Sequence, residues 1–168
     1  MEIAELNRLD AMQRMGIRPM AAAGRVVVGA PGLTVTCDAA TGRVLWSGRR
    51  SYGAGVVSDA RVYCGGTWEF VVLDLNDGRI LLETNLPERI EKKWGFKDVD
   101  FHTGLAVSET HFFMGDGEGR LYAFEKETGE PVWSHRPKGG KPYFGNMPVI
   151  ANNRLYITTV KPGPYTPT

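Results

Sequence analysis

The sequence is poor in the residues that build covalent or metal-held frameworks. Its two cysteines, Cys37 and Cys64, stand far apart, each inside an apolar strand-like run. A small buried thiol is the commoner role there, and a disulfide framework or zinc site needs more cysteines or histidines at ligand spacing. His102, His111 and His135 have no such spacing, so no metal site is expected. Net charge is also nearly absent, with 20 basic against 19 acidic side chains, and no global field points to nucleic acid or a membrane surface. No apolar window approaches a membrane span, and Met1-Glu2-Ile3-Ala4-Glu5-Leu6 has no basic segment leading into an apolar one. A cytoplasmic protein is the resulting expectation. No serine sits in a nucleophile elbow and no cysteine has a recognisable base beside it. No catalytic residue and no cofactor are assigned on these grounds.

What the chain does have is glycine and repetition. Its 168 residues are 42% hydrophobic, enough for a sizeable core, and 21 glycines with 10 prolines favour short strands and tight turns. The unit is clearest in Gly119-Arg120-Leu121-Tyr122-Ala123-Phe124-Glu125-Lys126-Glu127-Thr128-Gly129-Glu130-Pro131-Val132-Trp133. An earlier copy is Val35-Thr36-Cys37-Asp38-Ala39-Ala40-Thr41-Gly42-Arg43-Val44-Leu45-Trp46, with the acid, glycine and tryptophan at the same offsets. A middle copy, Val72-Leu73-Asp74-Leu75-Asn76-Asp77-Gly78-Arg79-Ile80-Leu81-Leu82, puts Leu82 in the tryptophan position. Thr-Gly between two strands supplies a tight turn, since glycine reaches positive φ without steric penalty. The preceding acid can accept N–H groups of that turn, and a tryptophan on the outermost strand can bury a flat surface against a neighbouring sheet.

Around these copies the pattern predicts short strands in groups of four. The first group is Met20–Ala23, Arg25–Gly29, Leu33–Asp38 and Arg43–Ser47; the second is Ala54–Ser58, Arg61–Gly65, Glu69–Leu75 and Arg79–Thr84. The third is Gly104–Ser108, His111–Gly115, Arg120–Lys126 and Pro131–Ser134, and a fourth begins with Met147–Ala151 and Arg154–Thr159. Arg25, Arg61, His111 and Arg154 open equivalent strands at separations of 36, 50 and 43 residues. A four-stranded unit at such a period is the signature of a propeller blade. The fold class expected is all-β, a partial β-propeller of about three and a half four-stranded blades with a short N-terminal helix. Residues 1–18 form the helix and linker, the helix resting on Ile3, Leu6, Leu9, Met12 and Met15 ahead of Gly16 and Pro19. Residues 19–168 form the partial propeller, with blades at about 19–48, 53–86 and 102–136 and a half-blade at 146–159.

The Cys37–Trp46 and Tyr122–Trp133 copies resemble the repeat of the pyrroloquinoline-quinone-like propeller family, which reads small-apolar-acid-x-x-Thr-Gly-x-x-x-Trp. The resemblance runs over roughly residues 19 to 159 and implies the fold. That family holds quinone-dependent dehydrogenases and also non-catalytic scaffolds such as the lipoprotein of outer-membrane protein assembly, so it implies no single activity. Its dehydrogenases are far longer, are usually exported and commonly carry adjacent cysteines near the cofactor. Cys37 and Cys64 are separated here, which argues against quinone catalysis.

Complete propellers typically have four to eight blades, so an open arc needs a cover. The candidates are the N-terminal segment, a second copy in a homodimer, or a different protein. The widest departure from the repeat is the insertion Pro87–His102, and insertions in repeat proteins map to loops on one face. That face is expected to gather Arg49, Arg50, Tyr52, Trp68, Trp94, Phe96, Lys138, Lys141, Tyr143 and Phe144 as a partner-binding rim. Aromatic rings beside cations are enriched at interface centres, and an acidic protein surface is the partner such a rim suits. The alternative is that Trp94, Phe96 and Phe144 tuck inward to anchor their own loops. Gly115-Asp116-Gly117-Glu118-Gly119 lacks the remaining ligands of a calcium loop and the helix and lysine of a phosphate loop, and reads as a hairpin turn. The functional expectation is a non-catalytic protein-binding module acting by scaffolding or steric occlusion, a toxin-neutralising immunity protein being one version. An enzyme whose small-molecule pocket forms on oligomerisation or with another subunit is the alternative.

Overall fold

The computed structural model describes residues 19–30, 33–48, 55–65, 68–101, 103–138, 143–144 and 147–160. The helix expected over residues 2–15 lies outside them, as do Arg49, Arg50, Tyr52, Lys141 and His102. Three four-stranded sheets follow one another, each in chain order. The first is β1 (Met20–Ala22), β2 (Arg25–Ala30), β3 (Leu33–Asp38) and β4 (Val44–Gly48); the second is β5 (Gly55–Ser58), β6 (Arg61–Gly65), β7 (Glu69–Asp74) and β8 (Ile80–Asn85). After the helix α1 (Leu86–Trp94) comes the third, β9 (Ala106–Val107), β10 (His111–Gly115), β11 (Leu121–Glu125) and β12 (Pro131–His135). Two two-stranded sheets complete the order, β13 (Tyr143–Phe144) with β16 (Thr159–Val160), and β14 (Val149–Ala151) with β15 (Arg154–Tyr156). The chain divides into two compact units, Met1–Gly66 with Phe70–Glu83 and Thr67–Glu69 with Thr84–Thr168.

The repeated turn is made three times in the same way. Gly42 N–H donates to Asp38 O at 2.9 Å, Gly78 N–H to Asp74 O at 2.9 Å, and Gly129 N–H to Glu125 O at 2.8 Å. The three glycines sit at φ 70°, 74° and 71°, a left-handed backbone that a side chain would strain. The residue after each acid donates across its own sheet to the first turn: Ala39 to Gly24 O, Leu75 to Ala60 O and Lys126 to Thr110 O, each at 2.9 Å. The acid fills the turn. Asp38 Oδ1 accepts the Thr41 hydroxyl at 2.7 Å and the N–H groups of Thr41 and Ala40 at 2.8 and 3.1 Å. Asp74 Oδ1 accepts the Asn76 N–H at 2.7 Å.

These bonds favour the ionised acids. The Thr41 hydroxyl, then its N–H, holds Asp38 below the ordinary 3.8, and the Asn76 N–H holds Asp74 below the same value. A carboxylate depressed on folding contributes stability that is present above its unfolded pKa and lost as pH falls through the folded one. The urea midpoint of unfolding is therefore expected to fall as pH drops below about 4, with a shallower acid slope in Asp38→Asn than in the parent. Equal slopes in the two proteins would remove Asp38 from this account.

The first unit packs Val27, Val62, Cys64, Val71, Leu73 and Leu75 in one buried cluster, with Met20, Trp46 and Val57 against it. Each such side chain contributes roughly 1.5–3 kcal/mol of burial. Both cysteines are free thiols. Burial pushes the Cys64 thiol up to about 12, while Cys37 is half-buried. In the second unit Phe112 stacks on Phe124 at 4.8 Å, and Phe101 meets Phe124 and Tyr122 edge-on at 6.0 and 5.7 Å.

Two strand expectations are corrected. Residues 154–159 are not one strand: β15 ends at Tyr156, and β16 turns to pair with β13. Tyr143 and Phe144, placed on an exposed rim by sequence, form that partner strand. The segment expected over Gly104–Ser108 shortens to Ala106–Val107, because Ser108 leaves the ladder to bond with its side chain and N–H to His111.

Candidate partner-binding cleft

The insertion after the second sheet is not a loop in its first half. Asn85 caps α1 by accepting the Glu88 N–H at 3.1 Å, Pro87 stands in the first turn, and Gly95 closes the helix at φ 71° with its N–H on Glu91 O at 2.7 Å. Leu86 and Ile90, one turn apart, are buried. The rest of the helix is fastened to the third sheet from outside: Arg89 pairs with Glu130, and Lys93 donates to Pro131 O. Asparagine followed by proline, with an acid in the first turn and a terminal glycine, was the sequence signal for this helix. Its short length hid it.

The strap after α1 is held by its own aromatics. Trp94 lies 6.2 Å from Tyr122 and 5.9 Å from Phe96, with Lys93 over its ring at 5.5 Å. The Arg120 guanidinium covers the Phe96 ring at 3.9 Å, a cation–π contact that fixes the ring's direction. Val99 and Phe101 are buried, and Phe101 bridges to Asp116. The turn beneath is held by Asp116, whose Oδ1 accepts the N–H groups of Arg120 and Glu118 at 2.8 and 3.0 Å, and whose Oδ2 accepts the Tyr122 hydroxyl at 2.7 Å. Burial first, and then this bond, raise the Tyr122 phenol well above its ordinary value. The Asp116 carboxylate is thus engaged by the donors of its own turn.

Between Trp68, α1 and the strap lies a cleft of about 560 Å³. Trp68 stands at its mouth, 65% exposed, with its backbone oxygen accepting the Leu86 N–H at 3.1 Å. Asn85, Pro87 and Phe96 line it together with the carboxylates of Glu88, Glu91, Asp98 and Asp100. The first three of these acids are exposed and Asp100 is half-buried.

Of the residues expected to form the rim, Trp68 and Phe96 meet in this cleft. Trp94 is half-buried behind it as an anchor of the strap. Phe144 lies so close to Gly115 that a Cβ there would come within 2.5 Å of its ring, so it too faces inward. Lys138 is exposed but does not line the cleft. Sequence reasoning missed the four acids, although all lie in the insertion it singled out, because it gave weight to the basic and aromatic members. Arg120 was missed because its contact with Phe96 joins positions far apart in the chain.

A protein-family model described as outer membrane protein assembly factor BamB matches residues 71–164. The outer membrane protein assembly factor BamB of Alkalilimnicola ehrlichii is 24% identical over 165 residues, covering 86% of this chain and 40% of that protein. The crystal structure of BamB from Moraxella catarrhalis is similar at a TM-score of 0.61 and 20% identity, over 84% of this chain and 42% of that one. The Cps50 (Swd1) β-propeller domain of Myceliophteria thermophila reaches a TM-score of 0.62 at 11% identity, over 84% of this chain and 47% of that one. The chain spans about two fifths of the length of the BamB relatives. At these identities the structural likeness speaks for the fold: successive four-stranded antiparallel sheets of a partial β-propeller.

Proposed function

We propose that this chain, which belongs to the outer membrane protein assembly factor BamB family of propellers built from pyrroloquinoline-quinone-like repeats, is a non-catalytic protein-binding module that works as a scaffold. The observation that carries the reading is the cleft at Trp68. A largely exposed tryptophan at the mouth of a concave site, on a backbone tied to a capped helix, is a ready interface anchor. The relatives' description as assembly factors agrees with such a role.

The partner chemistry we infer differs from the sequence expectation. An acidic partner surface was inferred from the basic and aromatic rim, but the charged side chains lining the cleft are those of Glu88, Glu91, Asp98 and Asp100, with the Arg120 guanidinium on the Phe96 ring. A segment offering lysine or arginine suits them, its alkyl stem on the rings and its charge beside Glu88, Glu91 and Asp98. In its narrower forms the module occludes a toxin or pairs with a second copy of itself, and both are protein contacts that could draw on this surface.

The test compares an arginine-rich with a glutamate-rich model peptide, titrated into the protein at low salt and followed by tryptophan emission. Saturable binding of the arginine-rich peptide is expected. Trp68→Ala should weaken it about tenfold or more with an unchanged circular dichroism spectrum, and added salt should weaken it further. Preference for the glutamate-rich peptide would restore the acidic-partner reading, and binding of neither would take the cleft out of the account.

A further inference from the structure

We propose that Thr34 and Thr36 of β3 form an internal site for the hydroxyl group of a small neutral ligand, on the face that the first sheet turns toward the second. The site lies in the first unit and does not rest on the Trp68 cleft, which belongs to the other. Thr34 and Thr36 are 1% and 0% exposed, and neither hydroxyl has a hydrogen-bond partner among the described residues. Most buried hydroxyls in proteins are bonded, because an unmade bond forfeits hydration without return. Two of them, two residues apart on one strand, suit a partner that can both donate and accept.

The ladder fixes which way they face. Thr36 stands between Val27 and Trp46, and Thr34 between Gly29 and Gly48; cross-strand partners share a face. Val27 clusters with Val62, Cys64, Val71, Leu73 and Leu75 of the second sheet and its turn, and Trp46 packs against them. The Trp46 indole N–H also donates to Leu75 O at 2.9 Å. Thr34 and Thr36 are therefore on the face that meets the second sheet. Both of their rows are uncharged, and so are the five residues opposite, the Cys64 thiol because burial keeps its proton on. An ion finds no counter-charge in such surroundings, which limits the ligand to a neutral group.

The fold does not require hydroxyls at these positions. At the offset of Thr36 the second and third repeats have Val72 and Ala123, and at that of Thr34 they have Phe70 and Leu121, all of them buried. The glycine paired with this last position is common to the three sheets, as Gly29, Gly65 and Gly115. Gly48 is not, its counterparts being Thr84 and His135. The row of Gly29, Thr34 and Gly48 is thus the smallest of the three, and a Cβ built on Gly48 would meet no described atom within 4 Å. Room and unpartnered hydroxyls coincide in the first sheet. Alternate residues stand about 6–7 Å apart along a strand, a distance that one or two bridging oxygens cover at about 2.8 Å per bond. Water meets this description, and so does the hydroxyl end of a small alcohol.

Thr34→Val and Thr36→Val exchange each hydroxyl for a methyl group and read the site by sign. With a hydroxyl ligand in place, each variant loses hydrogen bonds, and the urea midpoint of unfolding is expected to fall by roughly half a molar. In a dry site, removal of an unpaired hydroxyl raises the midpoint instead, and the preference of valine for strands adds to the rise. The source of the hydroxyl is read by NMR on the full chain. Magnetisation transfer from water to the Thr34 and Thr36 methyl groups identifies held water. A saturable shift of the same groups on titration with glycerol, abolished by Thr34→Val, identifies an alcohol. Falling midpoints together with either signal are the expected result. A midpoint that rises or stays level in either variant, or the absence of both signals, would overturn the proposal.

Discussion

Trp46→Ala is expected to lower the stability of the protein by about 3 kcal/mol, at the low end for a tryptophan truncation because the ring is half-buried. The loss has three parts. The Val27–Leu75 cluster loses a packed ring, Leu75 O loses its donor, and the space above Gly78 opens. Trp133→Ala removes the same side chain from an equivalent strand, yet the expected cost is below about 1 kcal/mol, because that ring is 39% exposed and its indole N–H makes no hydrogen bond among the described residues. The measurement is a pair of urea unfolding curves with unchanged slope and different midpoints. Equal losses would mean that Trp46 draws its stability from its own sheet and not from the joint with the next.

The second large effect is expected at Asp116. Asp116→Ala removes the acceptor of two turn N–H groups and of the Tyr122 hydroxyl, whose residue is 0% exposed. Leaving a buried hydroxyl and turn amides unsatisfied costs about 2–4 kcal/mol in total. Part of that penalty belongs to the stranded hydroxyl, so Asp116→Ala with Tyr122→Phe should recover about 1 kcal/mol relative to the single variant. The double-mutant cycle reads this directly. A cycle without coupling would show that the Tyr122 bond contributes nothing beyond the turn. Because the Phe101 strap bridges to Asp116, the single variant should also weaken arginine-peptide binding at the cleft.

The repeat was legible because its chemistry is local. An acid accepting donors two and three residues on, and a glycine whose N–H returns to that acid's carbonyl, need only a short stretch of chain. Four strand starts, at Arg25, Arg61, His111 and Arg154, fall where the turn chemistry placed them. The helix α1 was legible in principle from Asn85, Pro87 and Gly95, but nine residues in an all-β context carry little periodic signal. The pairing of β13 with β16 joins Phe144 to Thr159, and nothing within either dipeptide specifies the other. The cleft was half legible. Trp68 and Phe96 could be picked out as aromatics in irregular segments, but their acidic company depended on how the strap returns over α1.

By itself, then, the sequence determined the strand order, the turn type, the four-stranded unit and the positions of its tryptophans, since each follows from contacts a few residues apart. Only the tertiary structure decided what those tryptophans do. Trp46 and Trp133 occupy the same place in the same repeat, and one bonds to the turn of the next sheet while the other, 39% exposed beside Phe113, makes no such bond among the described residues. Burial and hydrogen bonding belong to the neighbouring sheet as much as to the residue, and a repeat pattern does not say what that neighbour offers.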